Sequence, residues 1–365
     1  MKKYVAILLC MVMVLGLLGA CAPAAKPGPE ASAPPASKTD APVDEKDLPV
    51  LRLGSFDTRA GFVTWYMTEH KMDVENGFKL QLEVSSTGGA FLNEAIGAGL
   101  LDATIMGAPQ GVFSAYTYGC KTVAELGESN GSISLMVAAD SDMTKAGGEN
   151  DVFGNPETVK GKSFMYPVGS MAQIAVIAYL DKLGLTLEDI EVVNMQQGPA
   201  YQALQSGDGD VAVLFSPLDY TALSDGYARL ACMNQLGVSS RDMLMVTPET
   251  YEDAAKMDII AKYLKVFYEI ADMFAADVDF EVTELQKYYT AMGKTVPNPE
   301  EMLKMEAINN PLMTSEKALA DAEKMADSCV KIAEFYVEYG TVEEPAIQSV
   351  KDSVDNSIVK KALGK

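Results

Sequence analysis

From Val50 onward the sequence alternates short apolar runs with amphipathic stretches, and few folds accommodate that alternation. In one run, apolar residues occupy every second position from Phe78 to Val84, which predicts a strand with one buried face. The stretches between such runs, for example Pro109 to Tyr118, have the length and composition of helices. Strands that are separated by helices require crossover connections, so the alternation predicts an α/β fold built on parallel strands.

The alternation occurs in two blocks, which predicts two lobes. A turn-rich, charged segment from Asp140 to Pro156 interrupts it, and strand-like and helix-like runs resume at Lys162. After Pro248 the pattern becomes helical, because apolar residues recur at spacings of three and four from Met257 to Phe274 and again from Leu319 to Ala333. The sequence therefore predicts two α/β lobes with C-terminal helices.

Residues 1–20 have the layout of a secretory signal peptide, with Lys2 and Lys3 before an apolar stretch from Val5 to Leu18. The tetrad Leu18-Gly19-Ala20-Cys21 resembles the bacterial lipobox, in which the cysteine is acylated and becomes the new N-terminus. The resemblance implies a palmitate-bearing lipoprotein, held through Cys21 on the extracytoplasmic face of the cell membrane. The alternative is an ordinary signal peptide that is cleaved nearby, with Cys21 uninvolved.

The charge of the chain restricts its partners. It carries 51 acidic and 29 basic side chains, for a formal net charge of −22. Nucleic-acid phosphates and anionic lipid headgroups would repel such a polyanion, so nucleic acid is not an expected partner and membrane association needs the covalent anchor. Residues 21–48 contain few large apolar side chains and cannot bury enough surface to fold, which predicts a flexible linker behind the lipid.

The sequence offers little for catalysis. His70 is the sole histidine and lies in a polar stretch, and Cys120, Cys232 and Cys329 are too widely spaced for a metal cluster or a disulfide framework. We expect these cysteines to be small buried hydrophobic residues, of which at most one pair could form a disulfide. The sequence therefore predicts no catalytic residue, no metal and no cofactor.

Several local patterns, taken in order, resemble one family. They are Gly61–Tyr66 followed by Phe78–Leu82, Ser86–Gly89 leading to Ala95–Ala103, Lys160–Lys162 followed by Gly169 and Ser170, and Ala203–Ala212. Together they are similar to the nitrate, sulfonate and taurine binding proteins of ABC importers, a group that also includes the binders of thiamine-pyrimidine precursors. The chain departs from the family at Phe215-Ser216-Pro217, where the family often has an aromatic or acidic W-x-P segment.

The resemblance implies the two-lobed type II periplasmic-binding-protein fold, with a chain that crosses between the lobes near Met136–Asp140 and near Met243–Thr247. Lobe 1 would comprise residues 50–138 and 244–365, and lobe 2 residues 139–243. The resemblance also implies a protein that captures a small molecule and delivers it to the permease and ATPase of an ABC importer, and we expect a monomer. The ligand stays open among a sulfonate, a nitrate-like anion and a pyrimidine or other aromatic heterocycle.

Ligands of open α/β sheets bind beyond the carboxyl ends of the strands, where loops lead into helices. Backbone N–H groups at helix N-termini bind oxyanions, and glycine lets a ligand approach the backbone closely. The alternative is that such residues are ordinary helix caps and turns. The candidate ligand-binding residues are Ser55, Phe56, Asp57, Arg59, Ser86, Thr87, Gly88, Gly89, Ala108, Gln110, Glu128, Tyr166, Gly169, Ser170, Gln197, Phe215 and Ser216.

These candidates suggest different ligands and different functions. Arg59 could pair with an anion, unless it is a surface arginine. Asp57 and Glu128 could bind a cationic or hydrogen-bond-donating ligand, or could form the carboxylate pair of a secreted enzyme. The aromatic candidates at the strand exits could stack on a ring. A further alternative to the importer is a lipoprotein that presents its bound ligand to a receptor and so acts as a sensor.

Overall fold

The computed structural model describes residues 45–85, 89–129, 133–147 and 152–365. The predicted signal peptide, the lipidation site at Cys21 and most of the predicted linker lie outside the described residues, as do Ser86, Thr87 and Gly88. The described part carries two β-sheets with helices packed around them. Within those ranges no helix has both the length and the apolar character that crossing a membrane requires.

Each sheet has five strands and one antiparallel member. The strands are β1 (Val50–Phe56), β2 (Lys79–Ser85), β3 (Ala103–Gly107), β4 (Lys121–Glu128), β5 (Ile133–Val137), β6 (Ser163–Tyr166), β7 (Glu191–Asn194), β8 (Val211–Phe215), β9 (Ala228–Cys232) and β10 (Arg241–Val246). The first sheet has the order β2-β1-β3-β10-β4, and the second the order β7-β6-β8-β5-β9. Only β10 and β5 run antiparallel to their neighbours, so the α/β prediction is confirmed and the sheets are mixed.

The antiparallel strand of each sheet is the one that has just crossed from the other sheet. The crossings therefore lie before Ile133 and before Arg241, earlier than the predicted positions near Met136–Asp140 and Met243–Thr247. The predicted lobe limits at residues 138 and 244 move with them. The physical reason is that β5 is buried at every position, so its sequence has no polar face that would assign it to either sheet.

Helices connect the strands and continue to the C-terminus. They are α1 (Arg59–Glu69), α2 (Met72–Glu75), α3 (Gly89–Gly97), α4 (Ala108–Tyr118), α5 (Asp142–Lys145), α6 (Pro156–Val159), α7 (Met171–Lys182), α8 (Gln197–Ser206), α9 (Leu218–Ser224), α10 (Met233–Leu236), α11 (Pro248–Glu252), α12 (Ala254–Ala276), α13 (Val278–Ala291), α14 (Pro299–Asn309), α15 (Ser315–Asp321), α16 (Asp327–Glu338), α17 (Pro345–Asp352) and α18 (Ser357–Ala362). Contacts of α12 and α13 with α1, and of α16 and α17 with α4, pack the C-terminal helices against the first sheet's own helices.

The C-terminal helices follow the predicted pattern in part. α12 covers the apolar periodicity from Met257 to Phe274, and Asp253 caps it by accepting hydrogen bonds from two backbone N–H groups at 2.9 and 3.2 Å. The second periodic stretch, Leu319 to Ala333, is not one helix, because Ala326 between α15 and α16 adopts a left-handed φ of 68°. The backbone N–H of Ala326 donates to the Glu125 carboxylate at 3.1 Å, a contact that helps to hold this unfavourable conformation.

The turn from β1 into α1 brings a loop to the carboxyl end of the first sheet. Thr58 caps α1 by accepting a hydrogen bond from the backbone N–H of Gly61. A Cβ atom at Gly61 would lie 2.1 Å from the carbonyl oxygen of Phe56, so any other residue here would force the loop to move. This close approach fixes the direction in which residues 56–59 leave the sheet.

Candidate functional site

A cavity of about 240 Å³ lies between the two sheets, at the carboxyl ends of several strands. Its walls come from the ends of β1, β3 and β4 and the residues after them in the first sheet, and from the corresponding parts of β6, β7 and β8 in the second. Ligand cavities for drug-sized molecules commonly measure about 300–1,000 Å³. The cleft therefore suits a small solute that contacts both sheets at once.

Many of the predicted residues meet at this cavity, although they are far apart in sequence. Those that line it are Phe56, Asp57, Arg59, Gln110, Glu128, Gly169, Ser170, Gln197, Phe215 and Ser216. Gly89 begins α3, and the three residues before it lie outside the described ranges. The rule that ligand sites lie beyond strand ends thus identified residues on both walls of one cleft.

Three predicted residues do not line the cavity, because their side chains pack into the interior. Ser55, Ala108 and Tyr166 are each 0% exposed. The Ser55 hydroxyl donates to the carbonyl oxygen of Phe56 at 2.8 Å, and burial raises the pKa of the Tyr166 phenol to about 12. In a strand, successive side chains point to opposite faces, so a residue at a strand end faces either the cleft or the core.

The wall from the second sheet is held by hydrogen bonds among its own residues. Ser170 caps α7, accepting from the backbone N–H of Ala172 at 3.2 Å, and its hydroxyl donates to a loop carbonyl at 2.6 Å. The backbone N–H of Gly169 donates to Gln173 at 2.7 Å. Gln197 accepts a hydrogen bond from the backbone N–H of Phe215 at 3.0 Å. These residues fix the shape of the wall, and ligand contact by them stays a prediction.

Arg59 is a buried anchor, so its interpretation as a surface arginine is wrong. The residue is 6% exposed, and its guanidinium pairs with Glu281 and donates to the carbonyl oxygens of Ala307, at 2.9 Å, and of Asn310. Burial lowers the pKa of this guanidinium to about 10, which leaves it charged at neutral pH. Arg59 thus ties the first turn of α1 to α13 and α14, at the edge of the cavity.

The two carboxylates proposed as an enzyme's catalytic pair each have a cationic partner of their own. Asp57 forms an ion pair with Lys294. Glu128 forms ion pairs with Lys317 and, at 3.3 Å, with Arg241. Both carboxylates line the cavity and bring negative charge to it, and their cationic partners partly offset that charge.

The histidine and cysteines lie apart from the cavity lining. The side chain of His70 is 49% exposed at the end of α1. The three described cysteines are free; Cys120 and Cys329 are buried, and Cys232 is partly exposed. Burial raises the pKa of the Cys120 thiol to about 12, so that thiol is protonated and unreactive at neutral pH.

The C-terminal helices contribute a part of the site that was not predicted from the positions of the strand ends. Tyr289 of α13, Glu306 of α14 and Asn310 after it line the cavity, together with Asp242 of β10. A sequence signal for two of them does exist, because Leu303, Glu306, Ala307 and Asn310 follow the spacing of one buried helical face. An acid and an amide on such a face require a polar environment in the fold.

Glu306 and Asp242 are acids in a buried setting. Glu306 is 4% exposed and accepts a hydrogen bond from the Tyr289 hydroxyl at 2.6 Å. Burial raises the pKa of Glu306 to about 7, against the opposing effects of that hydrogen bond and of the Arg59 charge. Burial likewise raises the pKa of Asp242 to about 6, although hydrogen bonds from the Thr58 and Ser129 hydroxyls lower it. Both groups can therefore change charge near neutral pH.

Two sheets joined by two crossings, with a cleft between their strand ends, form the two-lobed architecture that is found among solute-binding proteins. The alkanesulfonate-binding protein of Xanthomonas axonopodis pv. citri, solved with bound MOPS, is 16% identical with a TM-score of 0.66 over 84% of this chain and 98% of that chain. The nitrate-binding protein of Synechocystis PCC 6803 is 10% identical with a TM-score of 0.67 over 87% of this chain and 88% of that chain. The predicted periplasmic-binding-protein fold is confirmed.

Sequence similarity then identifies the family. No family model matches the chain. A curated relative from Brachyspira hyodysenteriae, provisionally described as an ABC transporter periplasmic binding protein, is 31% identical over 302 residues, which are 82% of this chain and 85% of the relative. The chain belongs to the periplasmic binding proteins of ABC transporters. It is an extracytoplasmic component that binds a small molecule for such a transporter, as the sequence predicted.

Proposed function

We propose that this protein holds its solute in the cavity between the two sheets, closes around it, and delivers it to the permease and ATPase of an ABC importer. The observation that carries the proposal is that one cavity is walled by strand-end loops of both sheets and by the C-terminal helices. A ligand that contacts both walls favours the closed arrangement of the lobes over the open one. A permease that recognises the closed form then receives loaded protein.

The lining supports a planar, polar ligand over a small oxyanion. Phe56 and Phe215 line the cavity from opposite sheets and are partly exposed, so they offer ring faces for stacking. Sulfonate and nitrate-like anions remain candidates, because the proteins of similar fold include an alkanesulfonate binder and a nitrate binder. Among the described lining residues, carboxylates outnumber cations, which weakens the case for an anion.

A thermal-shift panel tests the capture function. The panel comprises methanesulfonate, ethanesulfonate, nitrate, cytosine, 4-aminopyrimidine and benzamidinium, each at up to millimolar concentration. A ligand present at about 100 times its Kd raises the free energy of unfolding by about 2.7 kcal/mol and so raises the melting temperature measurably. Mass spectrometry under native conditions tests in parallel whether a small molecule co-purifies unchanged. If neither approach finds a ligand, the capture proposal is overturned.

We propose further that Cys21 carries the lipid that holds the mature protein, as a monomer, at the outer face of the cell membrane. The apolar stretch followed by Cys21 supports the anchor, and the net charge of −22 makes binding to anionic lipid by charge alone unfavourable. Two or more acyl chains on one residue provide stable anchoring, whereas one chain provides only reversible binding.

Replacing Cys21 by serine in the full chain is expected to release the protein from the membrane fraction and to abolish its labelling by radioactive palmitate. The matched control is Cys232→Ser, which removes a partly exposed thiol elsewhere and leaves the label and the membrane association unchanged. Labelling that survives Cys21→Ser would contradict the assignment of the lipidation site.

A further inference from the structure

We propose that Glu306 selects the ligand of this cleft, and that the ligand is a small planar nitrogen compound with N–H donors and no negative charge, such as an amidinium or an amino-substituted heterocycle. The inference rests on the proposed function, because it takes the solute to bind in the cavity between the sheets. It deepens that function by naming a specificity-determining residue and the ligand chemistry that the residue accepts.

The geometry of Glu306 provides the first argument. Its side chain lines the cavity, and its Oε1 atom accepts the Tyr289 hydroxyl hydrogen bond at 2.6 Å. Its Oε2 atom is also buried, and no donor among the described residues reaches it. Tyr289 therefore positions a carboxylate that has one occupied oxygen and one buried oxygen without a donor among the described residues.

The unused oxygen carries an energetic cost in the ligand-free protein. A buried acceptor without a partner loses its hydrogen bonds to water and gains none from the protein, and the cost is larger when the acceptor is charged. A ligand N–H group at Oε2 would recover that loss, whereas a ligand oxyanion would add a like charge beside the carboxylate. Oε2 therefore favours a ligand with an N–H donor and disfavours an anion. An unpaired polar group can select between ligands in this way.

The charges around the cavity point the same way. The carboxylates of Asp57, Glu128, Asp242 and Glu306 line it, and Arg59 is the lining cation among the described residues. Both terminal nitrogens of Arg59 are already engaged, by Glu281 and by main-chain carbonyl groups, while its buried Nε atom has no acceptor among the described residues. The charge distribution thus provides acceptors for a donor-rich ligand, and it leaves an anion facing carboxylates that are only partly neutralised.

The test compares Glu306→Gln with Glu301→Gln by isothermal titration of cytosine, 4-aminopyrimidine and benzamidinium, with methanesulfonate and nitrate as anionic probes. Glutamine keeps an oxygen for the Tyr289 hydroxyl, so Glu306→Gln should fold, and its melting curve checks this. Glu301 lies on the same helix and is exposed, so its replacement is the matched control. We expect at least one donor probe to bind the wild type, about 100-fold weaker binding to Glu306→Gln, and unchanged binding to Glu301→Gln.

Other outcomes separate this inference from the capture function. If methanesulfonate or nitrate binds and no donor probe does, the inference is overturned while capture in the cleft stands. If a donor probe binds wild type and Glu306→Gln equally, Glu306 does not select it and the inference also fails. The variant Tyr289→Phe removes the hydroxyl that positions Glu306. If it weakens binding of the donor probe about 10-fold while the melting temperature stays within a few degrees, the result supports the positioning role of Tyr289. Unchanged binding would count against that role.

Discussion

Replacing Arg59 by alanine is expected to lower the free energy of unfolding by about 3–5 kcal/mol, the usual cost of removing one partner from a buried ion pair. Glu281 is 2% exposed and would be left as a buried charge without its partner. The carbonyl oxygens of Ala307 and Asn310 would lose a donor as well. Urea unfolding followed by circular dichroism measures the loss, with the midpoint and slope of the transition recorded together.

The matched control for this prediction is Arg52→Ala. Arg52 also pairs with a buried acid, Asp102, but its own side chain is 38% exposed, and Asp102 keeps a second partner in Lys256 at 2.7 Å. Its removal should therefore cost about 1 kcal/mol or less. Because Arg59 anchors the helix that carries Glu306, Arg59→Ala should also weaken ligand binding where Arg52→Ala does not. Equal losses of stability in the two variants would contradict the anchoring role of Arg59.

The sequence predicted the fold class well, because the alternation of strand and helix periods is a local property. It could not predict which sheet receives β5, since a strand that is buried at every position has no exposed face that would assign it to one sheet. It also could not predict the break at Ala326, where the apolar period continues on both sides. In that case the deciding contact, the hydrogen bond to Glu125, comes from about 200 residues earlier in the chain.

The sequence likewise predicted the part of the candidate site that lies at strand ends, and it missed the part that distant helices contribute. Strand ends are visible in the sequence, and residues such as Asp57 and Phe215 reached the cavity as the strand-end rule predicts. Tyr289 and Glu306 reach it only because α13 and α14 fold back over the first sheet's loops and are held there by Arg59. The C-terminal helices therefore complete the candidate site, in addition to packing against the core.

Glu306 makes stability and binding depend on pH in opposite directions. Burial raises the pKa of Glu306 to about 7, so the folded protein holds this proton more tightly than the unfolded chain does. The ligand-free protein should consequently lose stability as the pH rises from about 4.5 to about 7, and Glu306→Gln should remove the part of that loss that Glu306 causes and leave the part that Asp242 causes. The charged and titratable groups that face Glu306 are Arg59 of α1, Tyr288 and Tyr289 of α13, Lys294 beyond it, and Asp219 and Tyr220 of α9.

A donor ligand needs the ionised form of Glu306, so its affinity should fall as the pH drops. At pH values below the Glu306 pKa of about 7, Glu306 must release a proton when the ligand binds, so each further drop of one pH unit weakens binding about 10-fold. Between pH 8 and pH 5 the affinity should therefore fall about 100-fold. Asp242, with a pKa of about 6, acts in the same direction. Isothermal titration of the tightest donor probe between pH 5 and pH 8, corrected for any ionisation of the probe, measures how the affinity depends on pH. Glu306→Gln should retain only the weaker pH dependence that Asp242 contributes. If the affinity instead rises as the pH falls, the cleft binds an anion. Protonation of Glu306 and Asp242 removes negative charge that attracts a donor ligand and repels an anion.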